Sequence, residues 1–197
     1  GHTEISADEA QARLAKLRSA TLDAVNGRPG EEPAFAGLQQ VVAKYQIPAR
    51  YPLELIDGFA MDVAGQQYLT LEDTLLYCYH VAGVVGVMMA FVMGVREPEV
   101  LGRAADLGIA FQLTNISRDV MDDAANDRVY LPADWLREAG VPDGKIADPA
   151  QRQAVFRVVR RLLEIADRYY ASAADGVRSL GFRAGWAVST ASGVYRD

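Results

Sequence analysis

The sequence contains one cysteine and carries no excess of positive charge. Cys78 has no second cysteine to pair with, which excludes an internal disulfide framework and favours a reducing compartment. The 20 Lys and Arg side chains are outnumbered by 26 Asp and Glu side chains, so the net charge is −6. No basic run is interleaved with aromatic residues. We therefore expect a cytoplasmic protein that does not bind nucleic acid.

Several other patterns are missing from the sequence. It has almost no alternating apolar and polar runs, no internal repeat, no dinucleotide-binding glycine motif and no signal peptide at its start. Helical periodicity covers nearly all of it, and 50% of its 197 residues are hydrophobic. This length is enough for one domain with a substantial core. We predict a single all-α domain over residues 1–197 and expect no nicotinamide cofactor.

Capping residues, glycines and prolines mark the ends of the predicted helices. Ser6 with Glu9, and Thr70 with Asp73, have the spacing of helix-starting caps. Further helices are predicted to start at Pro33, before Glu54, near Glu97–Pro98, near Pro132, near Ala150 and near Arg183. Loops are expected at residues 26–33 and 140–149.

A long run without charge occupies the middle of the chain, between residues 74 and 95. Such a run could span a bilayer, so a membrane-embedded helical protein is one alternative. However, residues 77–80 are polar or aromatic, and neither end of the run has a Lys/Arg cluster. Gly83 and Gly86 are small enough to let neighbouring helices approach closely. We therefore predict that residues 77–93 form the most buried helix of a bundle.

Polar residues inside apolar helices are candidates for buried partners or for a site. Tyr77 needs a hydrogen-bond partner if its hydroxyl is buried. His80 is interpreted as a core histidine whose ring is hydrogen-bonded. Asp57 and Asp62 lie on an otherwise apolar helix, and we expect them to be exposed, with a role in a site as the alternative.

A polar stripe follows one face of the helix predicted from Glu97–Pro98. At about 100° per residue, four side chains fall within about a quarter-turn of one another: Gln112, Asn115, Asp119 and Asp123. Like charges at i,i+4 destabilise a helix by about 0.2–0.5 kcal/mol, and a cation between them would reverse that sign. Three oxygen ligands suit Mg²⁺ completed by water and phosphate, with Mn²⁺ as an alternative. A solvated acidic face is the competing interpretation.

Three stretches resemble the squalene and phytoene synthase family. Residues 77–86 (YCYHVAGVVG) are similar to its first signature, and residues 107–132 (LGIAFQLTNISRDVMDDAANDRVYLP) to its second. Residues 55–62 (LIDGFAMD) resemble the bacterial phytoene synthase branch in particular. The likeness extends from about Pro33 to the C-terminus and is weak before Gly30.

The resemblance implies an isoprenoid synthase type of helical bundle around a central cavity. It also implies a prenyltransferase of carotenoid biosynthesis, which joins two geranylgeranyl diphosphates head to head, through prephytoene diphosphate, to give phytoene. Mg²⁺ would stabilise the leaving diphosphate. Carried over residue by residue, the metal ligands are Asn115, Asp119 and Asp123, the proton-managing residue is Tyr77, and the substrate-binding residues are Gln112, Arg118 and Tyr195.

The sequence departs from the family pattern in two ways. The family's first Asp-rich motif lies on an earlier helix, and nothing before Asp57 matches it. The chain also stops before the family's last helices. We therefore expect a synthase domain truncated at both ends and inactive by itself.

Two alternatives lie within the family: a dehydrosqualene or squalene synthase acting on farnesyl diphosphate, and a non-catalytic member. The resemblance further implies peripheral contact with the inner face of the membrane for product release.

Overall fold

The computed structural model describes residues 6–28 and 30–177. Within these residues the chain forms eight α-helices and no strand, which confirms the predicted all-α class. The helices are α1 (Ala7–Val25), α2 (Pro33–Tyr45), α3 (Arg50–Val63), α4 (Leu71–Cys78), α5 (Val84–Val92), α6 (Pro98–Ala125), α7 (Ala133–Glu138) and α8 (Arg152–Val177). A π-helical turn (Tyr79–Gly83) joins α4 to α5, and a short 3₁₀ helix (Pro149–Gln151) precedes α8. The helix predicted from Arg183 lies outside the described residues.

The helix starts follow the capping residues. The Ser6 side chain accepts the amide of Glu9 at 3.2 Å. Thr70 and Asp73 form a reciprocal capping box at the start of α4, as their spacing predicts. Gly65, just beyond the end of α3, has a φ of +60°, a backbone conformation that glycine adopts without strain.

Helix α6 is the centre of the bundle, because it packs against α4, the π turn, α5 and α8. Ala110 and Leu113 on this helix are completely buried. One large apolar cluster joins α4, α6, α7 and α8, and a second joins α2, α3, α5 and α6. The second cluster contacts α6 at Leu101 and Ala105, and the first contacts it further along, from Ile109 to Ile116, so this helix is shared by both halves of the core.

The uncharged run is buried on one side only. Tyr77, Val84 and Phe91 are in the core, whereas Val85 and Met89 are exposed. The prediction that residues 77–93 form the most buried helix is therefore met on the side that faces the core and not on the side that carries Val85 and Met89. By length and composition alone, Leu71–Val92 is the one stretch of the described residues that could cross a membrane, a test that buried core helices also pass.

Three glycines let the backbones of these central helices touch. A Cβ atom at Gly108 would overlap the carbonyl oxygen of Ala82 and lie 2.9 Å from the Gly83 Cα atom. A Cβ atom at Gly86 would overlap the carbonyl oxygen of Ala104 in the same way. This confirms that Gly83 and Gly86 belong to a close helix crossing, and it adds Gly108 on the partner helix.

We expect Gly108→Ala to destabilise the fold by about 1–3 kcal/mol, because the methyl group meets backbone atoms that cannot move independently. Gly102→Ala on the same helix is the matched control, since no atom lies within 4 Å of its added Cβ. The control should gain up to about 1 kcal/mol from helix propensity. Urea unfolding of the three proteins gives the comparison, and equal stability of the two variants would contradict the close crossing.

Candidate active site

The polar stripe of α6 opens onto a cavity of about 220 Å³. Its lining contains all four stripe residues and the tyrosine of α4, as follows: Tyr77, Gln112, Asn115, Ile116, Arg118, Asp119, Asp123 and Tyr130. The stripe is therefore a cavity wall and not a freely solvated face. Tyr77 and the stripe belong to two different helices, and the packing of α4 against α6 brings them together.

Asn115 presents an acceptor atom that lacks a partner. Its Nδ2 donates to Gln112 Oε1 at 3.5 Å, which orients the amide. Its Oδ1 is buried and has no hydrogen-bond partner among the described residues. A buried acceptor left unpaired costs about 1–3 kcal/mol, so such an atom indicates a ligand that the protein itself does not supply.

The two aspartates of the stripe have different electrostatic environments. Arg118 donates from Nε to Asp119 Oδ1 at 2.7 Å and from Nη2 to Oδ2 at 2.6 Å. These hydrogen bonds hold the pKa of Asp119 below its ordinary value. The pKa of Asp123 is raised, first by burial and then by the nearby charge of Asp119. A cation beside Asp123 would offset both the burial and the like charge.

The ligand set fits a hard divalent cation. Among the described residues no group of three or more His, Cys, Asp and Glu side chains is placed to hold a metal ion. The available donors here are two carboxylates and the unpaired Asn115 oxygen. Mg²⁺ is commonly held by one or two carboxylates, with water and substrate phosphates completing its octahedron. This oxygen-only set therefore suits Mg²⁺, and Mn²⁺ takes the same ligand types.

Two tyrosines of the cavity lining form a hydrogen-bonded group with an acid at the end of α3. We call it the tyrosine–aspartate cluster: Asp62, Tyr77 and Tyr130. Tyr77 donates to Asp62 Oδ2 at 3.1 Å, and Tyr130 donates to Asp62 Oδ1 at 2.8 Å. The two tyrosine rings stack with centroids 4.8 Å apart. Burial raises the pKa of both tyrosine hydroxyls, so both are neutral donors at ordinary pH.

Asp62 corrects one sequence-based interpretation. We expected both acids of α3 to be exposed, and this is met by Asp57, which is paired with Arg18 near the surface. Asp62 instead accepts hydrogen bonds from two buried tyrosines. The sequence did contain a signal that the two acids differ. Asp62 lies in the last turn of an apolar helix, five residues after Asp57, and the two side chains are therefore on different faces. Tyr130 was missed as a site residue although it lies within the quoted second signature.

The whole chain resembles known proteins of one kind. Residues 2–197 match the squalene/phytoene synthase family. The chain belongs to this family. It is 54% identical over 190 residues to the phytoene synthase of Pseudescherichia vulneris, covering 96% of this chain and 62% of the relative. It is 51% identical over 184 residues to the 15-cis-phytoene synthase of Pantoea ananas, covering 93% of this chain and 60% of the relative.

Two solved structures of squalene-type synthases have a similar fold. A dehydrosqualene synthase in complex with ligand superposes with a TM-score of 0.87 at 27% identity, over 98% of this chain and 68% of that chain. The squalene synthase HpnC of Alicyclobacillus acidocaldarius superposes with a TM-score of 0.84 at 24% identity, over 94% and 69%. These superpositions confirm the isoprenoid synthase type of helical fold.

The chain spans about 60% of the length of the curated relatives it matches. Of the site residues that the resemblance to the squalene/phytoene synthases implies, the cavity contains Tyr77, Gln112, Asn115, Arg118, Asp119 and Asp123. Tyr195 lies outside the described residues. The roles of all of these residues remain predictions.

We expect Mg²⁺ to raise the melting temperature of the protein and Asp123→Asn to weaken this response, since the variant loses one charged oxygen ligand. Without metal the variant should be as stable as the unmodified protein or more so, because it relieves the like-charge repulsion, worth about 0.2–0.5 kcal/mol.

The sign of the pH dependence follows from the raised pKa of Asp123. The folded state binds this proton more tightly than the unfolded state, so the native aspartate loses relative stability as the pH rises through its folded pKa. The advantage of Asp123→Asn should therefore be present at neutral pH and disappear in acid. Asp122→Asn, an exposed neighbour outside the cavity lining, is the control, and an equal loss of the Mg²⁺ response in it would contradict the assignment.

Proposed function

We propose that this chain is the catalytic portion of a phytoene synthase, which condenses two geranylgeranyl diphosphates head to head. The observation that carries the proposal is the cavity in which an oxygen ligand set on α6 faces a buried tyrosine on α4. The names of the relatives at 51–54% identity support phytoene as the product. The reaction runs through prephytoene diphosphate and belongs to carotenoid biosynthesis.

The first barrier is the ionisation of an allylic carbon–oxygen bond, which places negative charge on the departing diphosphate. Asn115, Asp119 and Asp123 would hold Mg²⁺, which supplies charge neutralisation for that leaving group when it is bound. Arg118 lines the same cavity, and its guanidinium has the planar donor geometry that fits phosphate oxygens. Gln112 is one turn earlier on the helix and lines the same cavity, which supports a contact with the substrate.

The second requirement is to protect the resulting carbocation from water. The cavity wall away from the stripe is aromatic, with the stacked rings of Tyr77 and Tyr130. Aromatic faces stabilise a nearby cation, and a dry wall delays its capture by water. Of these two tyrosines, Tyr77 is the one to which the resemblance to the family assigns the proton transfer. Its hydroxyl stays neutral because burial raises its pKa.

A C15 substrate is the second candidate. It is favoured by the 27% identity and the TM-score of 0.87 to a dehydrosqualene synthase. Both candidate functions would use the same residues of this cavity, so the length of the product distinguishes them.

We also propose a cytoplasmic location with peripheral attachment to the inner face of the membrane. The support is chemical: the product is a long hydrocarbon, and exposed apolar side chains of α5 include Val85 and Met89. Membrane flotation of the protein, with and without Val85→Ser and Met89→Ser, measures this contact.

The function is tested with a chimera in which this chain replaces the matching 190 residues of the Pseudescherichia vulneris relative. We expect the chimera to form phytoene from geranylgeranyl diphosphate and Mg²⁺, with farnesyl diphosphate a poorer substrate. Asp119→Asn and Asp123→Asn in the chimera should lower turnover by at least about 100-fold, since each removes a metal ligand. A chimera that makes only C30 hydrocarbon would establish the second candidate, and wild-type turnover of either variant in saturating Mg²⁺ would exclude the metal assignment.

The 197-residue chain by itself is expected to form no phytoene. Its sequence carries the second Asp-rich motif, and three oxygen ligands from one wall should bind Mg²⁺ weakly because this ion dehydrates reluctantly. Any substrate that ionises should be captured by water and released as prenyl alcohol. Extraction and chromatography after incubation with geranylgeranyl diphosphate and Mg²⁺ decide the matter. If the chain alone forms phytoene at the rate of the chimera, the family's first Asp-rich motif is dispensable.

A further inference from the structure

A second cavity, which we call the rear cavity, adjoins the tyrosine–aspartate cluster. It measures about 380 Å³ and is open to solvent. Its walls come from the last turn of α3 and from the loops at residues 65–69, 127–131 and 141–146. Asp62 and Tyr130 line this rear cavity, whereas none of the residues on the α6 stripe does.

The cluster stands between the two cavities. Tyr77 lines the front cavity with Asp119 and Asp123, and Asp62 lines the rear cavity. Tyr130 lines both. Two hydrogen bonds lead from the front cavity to Asp62: Tyr77 donates to Oδ2 at 3.1 Å and Tyr130 donates to Oδ1 at 2.8 Å. Of these two tyrosines, Tyr77 lines the front cavity and not the rear one, so a proton that it passes to Asp62 moves from front to rear.

The direction of the hydrogen bonds suits proton movement from front to rear. The Tyr77 hydroxyl already donates to Asp62, so its oxygen lone pairs are directed away from the carboxylate and can accept a proton from elsewhere. The Tyr130 hydroxyl donates to the other carboxylate oxygen at 2.8 Å and holds Asp62 in position. Asp62 therefore has one oxygen fixed by Tyr130 and the other opposite the tyrosine that faces the site.

We propose that Asp62 receives the proton released in the condensation, by way of Tyr77, and delivers it to water in the rear cavity. This inference rests on the proposed function. It assigns to the rear cavity the role of a proton exit that is separate from the diphosphate side of the site.

The step balances as follows. A C–H bond next to the cationic carbon breaks, and its electron pair forms the new carbon–carbon bond or double bond. The proton forms an O–H bond on the Tyr77 oxygen while the original hydroxyl proton of Tyr77 moves to Asp62 Oδ2. The substrate cation and the Asp62 carboxylate thus become a neutral product and a neutral carboxylic acid, which then gives its proton to water.

The separation has a chemical benefit. A proton left beside the diphosphate would protonate that anion or remain where the new double bond could take it back. Removal through Asp62 places a protein wall, made of the Tyr77 and Tyr130 rings, between the proton and the product. Tyr68 packs against both rings, with centroids 5.3 and 5.6 Å away, and extends this wall.

The test measures two quantities in the chimera: total diphosphate release, which counts ionisation, and the ratio of prenyl alcohol to hydrocarbon, which counts failed deprotonation. For Asp62→Asn we expect diphosphate release to stay within a few fold of the unmodified chimera while hydrocarbon falls by about 100-fold, the lower range for loss of acid–base assistance. Prenyl alcohol should take its place. Asp62→Glu should restore hydrocarbon in part, because it returns a carboxylate.

Asp57→Asn is the matched control, since it changes the same group on the same helix at the surface, outside both cavities. Its product ratio should equal that of the unmodified chimera. A loss of diphosphate release and hydrocarbon in equal proportion in Asp62→Asn would overturn the proposal, and so would an unchanged product ratio. Failure of the proposed function is distinct, because then the unmodified chimera itself releases no diphosphate.

A measurement without any substitution covers the case in which Asp62→Asn fails to fold. Both protons of the relay exchange with solvent, so in D₂O the transfer from Tyr77 to Asp62 should slow. The alcohol-to-hydrocarbon ratio of the unmodified chimera should then rise while diphosphate release changes little. An identical ratio in H₂O and D₂O would contradict the relay.

Discussion

The whole site depends on how closely two backbones approach where α6 crosses the segment joining α4 to α5. At Gly108 and Gly86 the space for a Cβ atom is already filled by carbonyl groups of the opposite helix. This close approach fixes α6 relative to α4 through backbone atoms, which cannot repack as side chains do. Tyr77 on one element and Asn115, Asp119 and Asp123 on the other are carried to one cavity by that crossing.

The two walls of the cavity carry different chemical groups. The wall on α6 presents carboxylates, a guanidinium and an amide oxygen that has no hydrogen-bond partner in the described part of the chain. Together these groups can hold a cation and a polyanion. The opposite wall presents neutral phenols hydrogen-bonded to Asp62. Under the proposed function, the α6 wall would stabilise the charge that develops in the ionisation, and the phenol wall would receive the proton.

Much of this arrangement could be predicted from the sequence. Helix starts followed from Ser6 and Thr70, and the stripe on α6 followed from its spacing. These are local properties, determined by residues within one or two turns. The partner of Tyr77 could not be predicted, because Asp62 lies on another helix and meets it only through tertiary packing. The exposed side of α5 could not be predicted either, since an apolar run looks the same whether one face or all faces are covered.

The π turn at Tyr79–Gly83 was also absent from the sequence-based predictions. It changes the direction in which the residues after it face, relative to the residues before it. The amide of Val84 bonds to the carbonyl of Tyr79, five residues back, so one residue more than usual is wound into this turn. In an uninterrupted α-helix, everything after it would be rotated by about 100° relative to Tyr77. Tyr77 and Gly86 can therefore both face α6 because the π turn contains one residue more than an α-helical turn. The directions of Tyr77 and of the Gly86 contact thus depend on the same turn. A one-residue deletion in this turn would rotate Tyr77 and Gly86 onto different faces, even if every named side chain were kept.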